Sequence, residues 1–88
     1  MARPVDDSVL VSRFVSDDGV LMAMPRRHSD RLIVLKHIAE SIEAGPEFDE
    51  PEVNARLRPF SDDVATLRRY LVDAGLLIRR PPGLYRRP

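Results

Sequence analysis

Thirteen arginines stand in this 88-residue chain against a single lysine, Lys36, and eight of the thirteen fall within residues 56–88. A guanidinium is a planar, permanently charged fork that pairs two N–H groups with a phosphate or with guanine O6 and N7. Arginines gathered on one side of a small domain therefore point to nucleic-acid chemistry. Formal net charge is zero, but residues 1–55 carry 6 Lys/Arg against 11 Asp/Glu, whereas residues 56–88 carry 8 Arg against 3 Asp. The basic excess lies in the C-terminal part, the placement that a DNA-facing surface requires. Two plainer readings stand beside this one: arginine pairs near domain ends serve as solvated surface, and a bias of arginine over lysine also follows from a GC-rich genome.

Catalysis has little to work with. Asp6/Asp7, Asp17/Asp18 and Asp62/Asp63 are adjacent pairs. Neighbours on a helix or strand point in different directions, so none forms an acid/base couple by itself and capping is their expected use. His37 belongs to the exposed side of a helix near Ile33 and Glu40, His28 to a basic connector, and with no cysteine in the chain these two histidines build no convincing metal site. No glycine-rich phosphate loop, G-x-S-x-G elbow or H-E-x-x-H pattern occurs. The chain is expected to be no enzyme and to need no cofactor. Without cysteines it holds no disulfide, and no run approaches the roughly 18 apolar residues of a membrane span, so the cytoplasm is the expected location.

The elements that must carry the arginines are readable from spacing. In residues 61–74, Val64, Leu67, Leu71 and Ala74 fall at i, i+3, i+7 and i+10 with Tyr70 at the stripe's edge, which predicts an amphipathic helix. Ser61, followed by Asp62 and Asp63, is its expected N-cap and Gly75 its stop. Leu76-Leu77-Ile78-Arg79-Arg80 and Leu84-Tyr85-Arg86-Arg87 flank the turn signal Pro81-Pro82-Gly83, which predicts a hairpin over 76–87. Upstream, residues 29–44 predict a scaffold helix opened by Ser29, with Leu32, Leu35, Ile38, Ala39 and Ile42 on one face. Residues 47–49 are a linker or a stub of strand. Asp49 then caps a helix over 50–57 with Val53 and Leu57 inward, and Pro51 is tolerated in its first turn. Helix, short strand, helix, turn, helix, hairpin is winged-helix order.

Residues 1–28 add a helix that Asp6 or Asp7 can cap and that runs through Ser16, then an apolar connector, Val20-Leu21-Met22-Ala23-Met24-Pro25. The connector is expected to dock on the domain. The helix carries Val9, Leu10, Val11, Phe14 and Val15, an apolar surface wide enough to cover something on two sides. The expected architecture is thus mainly α with a small β-hairpin: a winged helix-turn-helix over 29–88, preceded by an extra N-terminal helix and connector over 1–28, the whole forming one compact domain.

With Leu67 and Leu71 inward, Asp62, Ala65, Thr66, Arg69 and Asp73 project outward and Arg68 and Val72 lie on the flank. Arg69 is then placed to read guanine and Thr66 to meet a phosphate or a thymine methyl. Arg79, Arg80, Arg86 and Arg87 of the hairpin are expected phosphate contacts, alternatively a charged edge that resists strand pairing. Asp62 and Asp63 would repel phosphates, which assigns Asp63 to capping or to an arginine. Val11, Phe14, Val15 and Ile33 are the expected dimer or partner interface.

Gly19 with the apolar run to Met24-Pro25, Leu32 and Leu35, Phe48 with Glu52-Val53-Asn54 and Leu57, Asp63 with Ala65-Thr66-Leu67-Arg68-Arg69-Tyr70-Leu71-Val72-Asp73, Gly75-Leu76-Leu77, Arg79 and Tyr85-Arg86 together resemble the bacterial domain of unknown function numbered 2087. The resemblance covers nearly the whole chain and is most specific over 63–77. Domains of that kind occur alone and fused behind helix-turn-helix regulators, so the resemblance implies a transcription regulator. Here the sequence departs at the hairpin turn, which is commonly glycine- and acid-rich but is Pro81-Pro82-Gly83 in this chain. The expected function is a small DNA-binding transcriptional regulator, acting on double-stranded DNA as a homodimer, with a second regulator protein as a possible companion. The alternative is a protein-interaction or dimerisation module on the same fold.

Overall fold

The computed structural model describes residues 7–88; Asp6, the alternative cap of the first helix, lies outside the described residues. Along the chain run α1 (Asp7–Phe14), α2 (His28–Ala39), β1 (Glu47–Asp49), α3 (Glu50–Leu57), α4 (Val64–Asp73), β2 (Ile78–Arg80) and β3 (Leu84–Arg86). The architecture is mixed α/β: four helices and one three-stranded antiparallel sheet among the described residues.

In α4 the amphipathic pattern holds as read, with Val64, Leu67 and Leu71 buried, Ala65, Thr66, Arg69 and Asp73 exposed, and Arg68 and Val72 half-buried. Its start is corrected. Asp63, not Ser61, is the N-cap and accepts the Thr66 N–H at 3.2 Å, while the Ser61 hydroxyl accepts from the Asp63 N–H at 3.1 Å. A carboxylate at that position satisfies an orphan N–H and sets a negative charge against the positive end of the helix dipole. Hydrogen bonding from Thr66 and the charge of Arg69 hold the Asp63 carboxyl below its ordinary value. At the other end Gly75 adopts φ 75°, the Gly75 N–H reaches Val72 O at 3.0 Å and the Leu76 N–H reaches Leu71 O at 2.9 Å. This paired closure requires a left-handed residue and lays Leu76 back over Leu71.

Residues 47–49 are a true strand. β3 lies at the centre of the sheet, pairing with β1 as Phe48 opposite Tyr85 and with β2 as Arg79 opposite Tyr85. Alternation then puts Phe48, Tyr85 and Arg79 on one face and Glu47, Ile78, Arg80, Leu84 and Arg86 on the other. The expected hairpin is therefore two strands of three. β1 runs directly into α3, whose start is a capping box: the Glu52 N–H donates to Asp49 Oδ1 at 2.9 Å and the Asp49 N–H donates to Glu52 Oε1 at 3.0 Å. Val53 and Leu57 are buried as expected.

Two other boundaries move. Arg27 rather than Ser29 precedes the first helical residue of α2, and no side chain caps that end. The helix stops at Ala39 instead of 44, because Ser41 and Ile42 donate to Ile38 and Ala39 respectively in tight i−3 bonds; Ile42 stays buried regardless. α1 ends at Phe14, and Val15 leaves the helix to bridge Leu21 across a tight turn in which Gly19 has φ 87°. The connector docks: Leu21 N–H donates to Phe60 O at 2.8 Å and Met22 N–H to Phe14 O at 2.7 Å. The core draws on α2, α3, α4 and the sheet through Val34, Leu35, Ile38, Ile42, Val53, Leu57, Leu67, Leu71, Leu77 and Tyr85, with Val11 and Phe14 of α1 packed at its margin.

Candidate functional site

The exposed side of α4 is bordered by two features. On one flank, Ala65, Arg68, Arg69, Val72 and Asp73 of the helix meet Arg79 and Tyr85 of the sheet and Glu50 of α3 around a groove of about 420 Å³. At its base the half-buried Arg68 is fully engaged. It donates to Asn54 Oδ1 at 2.5 Å, lies 3.4 Å from Glu50 Oε1, and its guanidinium sits 5.6 Å from the centre of the Tyr85 ring, whose hydroxyl donates to Glu50 Oε2 at 3.4 Å. This knot ties α3, α4 and β3 together and takes Arg68 out of the set free to meet a ligand.

Among the described residues, the side chains of Arg69 and Arg79 make no hydrogen bond or ion pair, and both line the groove. The neighbouring Arg80 is differently placed. It projects from the opposite face of the sheet and binds Glu47 through two hydrogen bonds, Nε to Oε2 at 2.7 Å and Nη2 to Oε1 at 2.8 Å. Those bonds hold the Glu47 carboxyl below its ordinary value, with Arg86 adding to the effect, and raise Arg80. Arg86 shares that far face. Arg87 is anchored by its backbone, which bridges Ala44 and accepts the Gly45 N–H at 3.0 Å, and its Nε is buried without a partner. The seven expected DNA-contacting residues thus divide: Thr66, Arg69 and Arg79 around the exposed side of α4, Arg68 beneath it, and Arg80, Arg86 and Arg87 elsewhere on the sheet.

The expected partner surface also divides. Val15 is buried within the chain's own core and is no surface residue. Val11 and Phe14 are half-buried against that core, while Val11 and Ile33 line a second groove, of about 580 Å³, between α1 and α2. Among the described residues the exposed large apolar side chains are Val9, Val20, Met22 and Ile78, none of them among the four residues expected at the interface. Periodicity cannot find Val20 and Met22, because connector exposure depends on where the chain docks.

A family model for an uncharacterized protein conserved in bacteria, the domain of unknown function 2087, matches residues 20–87, and the chain belongs to that family. The matched segment takes in all but the first of the residues, Gly19 to Arg86, that carry the resemblance, and α1 lies outside it. No curated protein and no solved structure matches the chain.

Proposed function

We propose that this family member is a small bacterial DNA-binding transcriptional regulator, a winged helix-turn-helix with an extra N-terminal helix, in which α4 is the recognition helix and the β2–β3 hairpin the wing. The observation that carries this reading is the groove between α4 and β2. It gathers two arginines whose side chains make no hydrogen bond or ion pair among the described residues, Arg69 of α4 and Arg79 of β2, while Arg68 and Arg80 are held by carboxylates. The order of elements from α2 onward supports the same reading. Arg69 is assigned to a base edge and Arg79 to a phosphate. A lone module of this kind covers roughly 600 to 1,000 Å² of its surface on DNA, so a homodimer reading two half-sites is the proposed working form. A second regulator protein is the companion that the family's fusions suggest.

The test is fluorescence anisotropy of the protein against a labelled random duplex and against its own upstream promoter region, across a salt series. Preferential binding to the promoter that Arg69→Ala reduces supports the reading, and a folded protein that binds neither duplex at low salt refutes it.

A second reading, a protein-interaction or dimerisation module without direct DNA binding, is favoured by the exposure of Val9 (48 %), Val20 (46 %) and Met22 (58 %) beside the groove of Val11 and Ile33. Val20→Ser with Met22→Ser separates the two. Loss of self-association with DNA binding intact assigns the apolar patch to assembly, and self-association unchanged by both substitutions removes the reason for this reading.

A further inference from the structure

The exposed face of α4 continues past the groove. Next to it lies a shallow depression lined by Thr66, Arg69, Tyr70 and Asp73, and beyond that another lined by His28, Arg31, Leu32, Tyr70, Asp73 and Ala74. Arg69 borders the first two hollows, Tyr70 the last two and Asp73 all three. A single trough therefore crosses α4, from Arg79 on the hairpin side to His28 and Arg31 on the side of the connector.

The connector end of this trough is basic and fixed in place. Arg31 turns back to donate Nε to Pro25 O at 3.2 Å and Nη2 to Arg26 O at 3.1 Å, while its guanidinium lies 5.4 Å from the centre of the Tyr70 ring. Arg31 thus binds the connector backbone to α4, and the next residues outward, Arg26 and Arg27, are exposed and make no ion pair or side-chain hydrogen bond among the described residues. By contrast the N-terminal end of α4 presents the exposed carboxylates of Asp62 and Asp63.

Cations therefore outnumber acids along the middle and C-terminal half of α4, where Asp73 and, at the hairpin end, Glu50 are the facing carboxylates, and the adjacent pair Asp62 and Asp63 stands at its N-terminal end. In the common helix-turn-helix arrangement the N-terminal residues of the recognition helix reach the base edges; here the charge pattern repels a phosphate backbone from that end.

We infer that duplex DNA crosses α4 over its C-terminal half, and that Arg26 and Arg27 form a second backbone clamp opposite Arg79, with Arg69 between the two strands' phosphates. This assignment rests on the DNA-binding reading above and adds to it a contact site in the connector.

The test uses the full chain and a labelled random-sequence duplex, comparing wild type, Arg26→Ala with Arg27→Ala, and a control that removes two exposed arginines away from the trough, Arg13→Ala with Arg58→Ala. Each lost phosphate contact lowers the steepness of log affinity against log salt by about 0.9, so the clamp variant loses about 1.8 of slope. Over a roughly fourfold rise in salt, wild-type affinity then falls about 12-fold more than that of the clamp variant, and the control follows wild type. Circular dichroism melting of the three proteins establishes that each is folded; all the substituted side chains are exposed or without partners. Wild type that binds with a slope unchanged in the clamp variant overturns the clamp and leaves DNA binding standing. Equal losses in clamp and control reduce the effect to net charge and also overturn it. Wild type that fails to bind overturns the DNA reading and the clamp with it.

Discussion

Arg79 and Arg80 are adjacent in sequence and both exposed, yet they are expected to behave oppositely toward DNA. Arg79 shares the sheet face of Tyr85 and opens into the groove beside α4 without a partner, whereas Arg80 lies on the other face with both its Nε and Nη2 on Glu47. Replacing Arg79 by alanine removes one phosphate contact, which lowers the salt slope by about 0.9 and, across a roughly fourfold change in salt, alters the affinity ratio by about 3.5-fold. Replacing Arg80 removes a charge that is already neutralised and leaves a free carboxylate on the far face, so the slope stays at the wild-type value. Anisotropy titrations of Arg79→Ala and Arg80→Ala at four or more salt concentrations measure both slopes directly. Equal losses in the two variants would mean that the Glu47 pair opens on binding and that sheet face does not sort the arginines; no loss in either would remove the hairpin from the interface.

Asp73 borders all three hollows of the trough, and Asp73→Asn is expected to tighten DNA binding by about 1 kcal/mol, roughly fivefold, at low salt, because that is the scale of a unit-charge repulsion across about 4 Å of water; unchanged or weaker binding refutes its placement facing phosphate. Leu71 is fully buried, so Leu71→Ala costs about 2 to 5 kcal/mol out of a total that scales to about 4 to 13 kcal/mol for a chain of this length, visible as a large fall in denaturation midpoint. The carboxyls of Glu43, Glu47 and Asp63 are all lowered in the folded state, chiefly by Arg56, Arg80 and Thr66 respectively. The stability they contribute is therefore complete above the ordinary values of 4.5, 4.5 and 3.8 and is lost as pH falls through and below them, and the combination Glu43→Gln, Glu47→Gln and Asp63→Ala is expected to flatten the acid limb of the thermal-unfolding profile.

Local rules made α3 and α4 legible. Val64, Leu67 and Leu71 are spaced for one buried stripe, Gly75 ends the helix, and Asp49 with Glu52 forms a capping box whose partners lie three residues apart. In α2 the same rules failed in part. Leu32 was expected in the core and is half-buried, while Val34 is fully buried, because α2 packs against both α1 and α4 and its buried stripe is wider than a single contact demands. Which arginines are free was not legible at all. Arg80 meets Glu47 from 33 residues away and Arg68 meets Asn54 from 14, pairings that only the docking of β1 and α3 creates. Sequence placed the positive charge correctly along the chain but had no means of subtracting the part neutralised by folding.

That subtraction bears on how a chain of zero formal charge can face DNA. Of the eight arginines in residues 56–88, Arg56 is held by Glu43, Arg68 by Asn54 and Glu50, and Arg80 by Glu47, so acids from the N-terminal half cancel charges in the C-terminal half at contact distance. Five of the eight are left over, Arg58, Arg69, Arg79, Arg86 and Arg87, and of these Arg69 and Arg79 line one groove. At an ionic strength of about 0.1 M electrostatic effects fade beyond about 10 Å, against molecular dimensions of 48 × 25 × 21 Å. A phosphate at Arg79 then responds to the trough and to Asp73 and Glu50 within it, and the acids on the remote surface are screened. If the proposed interface holds, affinity is expected to follow which guanidiniums folding leaves unpaired along the groove, and net charge is a poor guide to it.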